Sequence, residues 1–105
     1  MADLRTELIR RLGKLGVEHR PWPGREDGFA SLCYGGKDFA HFHDDGELDI
    51  RLTKVVIERE GLVHPPDSRV HPNRTAKSPW IEVRFTTRTD LNRVVRLVKL
   101  AIEQL

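Results

Sequence analysis

Between residues 39 and 52 the chain alternates. Apolar side chains fall at Ala40, Phe42, Leu48, Ile50 and Leu52, and polar ones at His41, His43, Glu47, Asp49 and Arg51. A period of two marks a half-buried strand, and Asp44-Asp45-Gly46 is turn chemistry between two such strands. The phase of the alternation selects the register. A two-residue turn at Asp45-Gly46 sets Phe42 against Asp49 and mixes the faces. A three-residue loop, Asp44-Asp45-Gly46, pairs Phe42 with Leu48 and Ala40 with Ile50, and also His43 with Glu47 and His41 with Asp49. Residues directly opposite in an antiparallel pair share a face, so the second register is expected.

The remaining elements follow from similar patterns. Leu4, Leu8, Leu12 and Leu15 form one stripe of a helix over residues 3–15, with Asp3 as cap and Gly16 as terminator. Val17 to Trp22 and Phe29 to Tyr34 read as strands, separated by a turn at residues 25–28. Thr53 is placed to cap a short helix through Val55, Val56 and Ile57 that stops at Gly61. Residues 62–79 hold four of the six prolines and no periodicity. Connections of that length in compact domains are often functional. Trp80 to Phe85 alternates as a fifth strand. A last helix starts at Thr89 or Asp90 and carries Leu91, Val94, Val95, Val98, Ala101, Ile102 and Leu105 on one arc, leaving Leu97 and Leu100 outside it.

The order is α-β-β-β-β-α-β-α. Strands with one apolar face, followed by amphipathic helices, predict an α+β two-layer sandwich in which an antiparallel sheet of about five strands carries helices on one face. At 105 residues the chain is expected to form a single domain over 1–105.

Charge changes the picture little. The net charge is +2, and the basic side is thirteen Arg against five Lys. Acids interleave with these bases, which argues against nucleic acid as a partner. The lone Cys33 excludes an internal disulfide and suits a reducing cytoplasm. No apolar run has the length of a membrane span or the form of a signal peptide, so a cytoplasmic protein with no membrane partner is expected.

Chemistry concentrates in the hairpin. His41, His43, Glu47 and Asp49 project from the face opposite the apolar layer, with Arg51. Glu82, Arg84 and Trp80 join them if the fifth strand turns Ile81, Val83 and Phe85 to the helices. Two imidazoles and two carboxylates are ligand types for zinc, iron or manganese. A histidine held by a carboxylate is also the usual arrangement of a general base. Neither chemistry is established by pattern alone. Ser31, Cys33, Ser68 and Ser78 lack a nucleophile signature, Gly35-Gly36 is not a phosphate loop, and no cofactor is predicted. Gly35, His41, His43 and Glu47 fit the first half of a cupin motif, but position 54 is Lys54 and no second motif follows. His64 and His71 lie in the 62–79 loop, each before a proline, and reach the patch if that loop folds across it.

These residues resemble a bacterial family known as the luciferase domain and otherwise as a domain of unknown function. The resemblance rests on His41-Phe42-His43 followed by Gly46 and Leu48, then Leu52 before a short helix, then Gly61 and His64-Pro65. A terminal strand and helix from Trp80 to Leu105 complete it, over roughly residues 37–105. It implies that the two strand histidines belong to the family's pattern, and no further residue role; the family name by itself does not imply light emission.

The first functional reading is a binding or interaction module for a small molecule or protein. It uses the polar face and the 62–79 loop, with His41, His43, Glu47, Asp49, His64, His71 and Arg84 as the patch. The alternative is a metal-dependent or general acid–base enzyme centred on His41 and His43 with Glu47 and Asp49. No metal is predicted outright, and these four are the ligands if one binds. Homo-oligomerisation through the sheet face or through Leu97 and Leu100 is a further option.

Overall fold

The computed structural model describes residues 3–24, 28–44, 46–65 and 77–105, with the side chain of Asp44 left out. Helix α1 (Leu4–Gly13) starts where Asp3 accepts a hydrogen bond from the Thr6 N–H at 2.7 Å. Gly16 follows its last turn at φ +92°, and a Cβ there would press on the Tyr34 ring at 3.3 Å. Glycine is therefore required for the chain to leave the helix and enter the sheet.

Five strands follow the predicted order: β1 (Glu18–Pro21), β2 (Ala30–Tyr34), β3 (Lys37–Asp44), β4 (Glu47–Arg51) and, after α2 (Lys54–Arg59), β5 (Trp80–Arg84). Helix α3 (Arg88–Glu103) completes the element order. All neighbouring strands pair antiparallel, and their order in the sheet is their order in the chain. The connection between β4 and β5 is long, yet the two strands are adjacent. Its far end is tied back by the Pro79 carbonyl, which accepts from the Leu52 and Thr53 N–H groups at 2.9 and 3.1 Å.

The apolar alternation buries one face of the sheet. Ala30, Leu32, Ala40, Phe42, Leu48, Ile50, Ile81 and Val83 pack in one cluster with Leu8 and Leu12 of α1 and Leu91, Val94, Val98 and Ala101 of α3. Burying this apolar surface is the dominant favourable term in folding. Helix α2 adds Val56 and Ile57 to the cluster, and an ion pair between Glu60 and Arg96 holds its end near α3.

Three details differ from the pattern-based expectation. Leu97, expected outside the apolar arc of α3, is fully buried. Helix α3 packs against α1 as well as the sheet, and the Arg11 guanidinium donates to Asn92 at 2.9 Å across that contact. The buried arc is rotated toward Leu97, on the side where Arg93 and Arg96 reach the Arg84 carbonyl of β5 and Glu60 at the end of α2, while Val95 and Ile102 are only half-buried. The cap of α3 is Thr87, two residues earlier than expected. Its hydroxyl accepts from the Asp90 N–H and the Asp90 carboxylate accepts from the Thr87 N–H, both at 3.2 Å. This reciprocal capping box outcompetes a cap at Thr89. Finally, the hairpin register holds for Ala40–Ile50, His41–Asp49 and Phe42–Leu48, but Asp44, not His43, lies opposite Glu47. His43 and Asp44 together oppose one residue, which is a β-bulge.

Candidate functional site

The second face of the sheet is polar by composition and buried at its centre. Ser31 is 5% exposed, His43 9%, Asp49 2% and Glu82 4%. An open, solvated sheet face would leave such groups wet. Each is placed by the alternation of its strand: Ser31 by β2, His43 by β3, Asp49 by β4 and Glu82 by β5.

His43 is the centre. The bulge aims its ring between two strands. Its Nε2 lies 4.0 Å from an Asp49 oxygen, and its Nδ1 lies 3.6 Å from Glu82 Oε1. Asp49 pairs with Glu82 across β4 and β5, so both carboxylates belong to neighbouring positions of one face. Arg84 extends the arrangement toward the surface. Its Nη2 donates to Glu82 Oε2 at 3.5 Å, and its Nε lies 3.6 Å from Glu47 Oε1. Glu82 thus has one oxygen toward His43 and the other toward Arg84. Ligand atoms of His43, Glu47 and Glu82 all lie within 4.8 Å of one another, the only such group among the described residues.

His41 goes elsewhere. Although its backbone is opposite Asp49, its Nε2 lies 3.0 Å from Asp38 Oδ1. Side chains three apart on a regular strand point to opposite faces. Here the register shifts between Leu32 and Cys33, leaving Phe39 as an extra residue, so Asp38 and His41 share the polar face. Aromatic rings close over them. His41 stacks on Trp80 at 5.2 Å and on Phe29 at 5.4 Å, and Phe29 also covers His43 at 6.1 Å. Trp22 meets Phe29 edge-on and donates its indole N–H to Ser31 at 2.8 Å. Cys33 is buried beside this layer, and burial pushes its thiol pKa up.

A cleft of about 290 Å³ runs along β5, between Glu82 and Arg84 on one side and Leu62, Val63 and Pro65 on the other. Arg93 also lines it and donates to the Arg84 carbonyl at 3.2 Å. The first residues of the 62–79 connection therefore flank the polar cluster. His64 is half-buried but does not line the cleft, and its Nε2 has no hydrogen-bond partner among the described residues. His71 lies outside the described residues. A second cleft of about 280 Å³ lies at the β1–β2 end, lined by Trp22, Ser31, Cys33 and Asp38, and its one carboxylate is the one engaged by His41.

Of the predicted patch, His43, Glu47, Asp49 and Arg84 come together, while His41 is held apart by Asp38. Glu82, expected on this face if β5 turned Ile81, Val83 and Phe85 to the helices, belongs to it. Its signal was a carboxylate at an inner position of an alternating strand, and its weight depended on β5 lying beside β4. No helix among the described residues is long and apolar enough to cross a membrane.

No curated protein and no solved structure matches this chain. The model of the luciferase domain family matches residues 36–101, a span that contains His43, Glu47, Asp49, Glu82 and Arg84. That span is well over half of the chain, and the chain belongs to the luciferase domain family.

Proposed function

We propose that this protein is a small-ligand-binding module whose site is the buried polar cluster and the cleft along β5. The observation that carries this reading is the burial of His43, Asp49 and Glu82, with side chains 4%, 3% and 1% exposed, where Glu82 forms part of the wall of that cleft. Burying ionisable groups costs several kcal/mol each before partners offset it. A cleft with a few convergent polar groups is the default place for a small ligand. The ligand presents polar groups to Glu82 and Arg84 and an apolar part to Leu62, Val63 and Pro65. The lone Cys33 makes a reducing cytoplasm the expected setting.

The reading is tested by titrating small cationic and zwitterionic fragments into 15N-labelled protein. Amide shifts are expected at Leu62, Val63 and residues 82–84, and at least tenfold weaker binding in Glu82→Gln. Shifts scattered over the surface, or a Glu82→Gln variant that binds as well as the parent, would remove the site.

A further inference from the structure

Three strands each contribute one ligand-type group to the same small volume: His43 from β3, Glu47 from β4 and Glu82 from β5. We propose that these three residues bind one divalent first-row transition-metal ion, an inference that rests on reading the polar cluster as a binding site. The distances allow it. An ion centred among atoms no more than 4.8 Å apart lies at most about 2.8 Å from each. Bonding distances of about 2.1 Å are reached by small rotations of the two glutamates. Arg84 lies 3.5 Å from the Glu82 carboxylate and 3.6 Å from that of Glu47.

The donor set selects the class of ion. One imidazole with two carboxylates is too nitrogen-rich for calcium and lacks the thiolate or thioether that copper(I) prefers. It suits zinc, manganese or iron(II). The histidine is oriented for the task. With Nδ1 facing Glu82, Nε2 faces Asp49 at 4.0 Å, the position from which a carboxylate orients a metal-bound imidazole. Three protein ligands leave a coordination position free, and Glu82 also lines the β5 cleft, which gives a small molecule access to the ion. Arg84 is the resident competitor, because it occupies the same two carboxylates in the absence of an ion.

The experiment titrates Zn2+ and Co2+ into the chelator-stripped full chain at neutral pH, by calorimetry and by cobalt absorption. One ion per chain is expected. Glu47→Gln is the decisive variant, because Glu47 is only half-buried and its loss leaves the buried groups in place. It should weaken binding at least about tenfold, as should Glu82→Gln, while His41→Ala keeps wild-type affinity. Asp49→Asn should keep the wild-type cobalt bands and lose about tenfold to a hundredfold in affinity. Absence of stoichiometric binding, or a folded Glu47→Gln that binds as tightly as the parent, overturns the metal site. If fragments still shift residues 82–84 in that case, the binding-module reading stands and only the ion is removed.

Discussion

His19 lies on the helix side of β1, where Phe42 meets its ring edge-on at 6.2 Å and the Arg5 guanidinium sits 4.4 Å above the same phenyl ring. Burial first, and the Arg5 charge second, push its pKa below the ordinary 6.5. The unfolded chain then takes up a proton that the folded chain resists. Stability is therefore complete above pH 6.5 and falls as the pH drops below it. Glu7 acts in a separate window. Hydrogen bonds from Arg10 and Arg11 lower its carboxyl from 4.5 to about 2, so its contribution is lost only as the pH falls through that range. Thermal melts between pH 7 and 5 should show a declining Tm in the parent and a flatter one in His19→Leu. An unchanged slope in the variant would assign the pH dependence to another group.

At the scale of elements, α3 shows what periodicity resolves and what it does not. Its register was legible, because seven apolar residues at helical spacing define an arc. The neighbours against which that arc would press were not, since they depend on β5 and the end of α2 lying beside it. Leu97 lies on the side of α3 that carries Arg93 and Arg96, which reach β5 and the end of α2, and is fully buried, whereas Leu100 is half-buried. Leu97→Ala should therefore cost about 3 kcal/mol and Leu100→Ala less than half of that, measured by urea unfolding. Equal losses would mean that the side of α3 toward β5 and α2 does not shape the buried face. The hairpin carries the same lesson. Alternation gave three of its pairs, because a one-residue slip would expose every apolar side chain. The partner of each histidine was not legible. His41 found Asp38 through a bulge at Phe39, and His43 found Asp49 and Glu82 through a second bulge and through a strand thirty-odd positions away.

The whole molecule is a sheet with two unequal faces. One is covered by helices and buries aliphatic and phenyl side chains, which is sufficient for an α+β domain. The other buries His43, Asp49 and Glu82 partly under Phe29, a residue outside the span matched by the luciferase domain family. Stability alone does not call for these groups, since apolar residues of similar volume fill such positions at lower desolvation cost. The triple substitution His43→Leu, Asp49→Val and Glu82→Met should accordingly leave Tm equal or raise stability by about 1–4 kcal/mol. Glu82→Met alone should cost about 3 kcal/mol, because it leaves the other two buried beside an apolar neighbour. A triple variant that unfolds would make the cluster a structural device of the sheet. A triple variant that is more stable but deaf to Zn2+ and to fragments would mean that the fold retains these charges for binding, at the expense of its own stability.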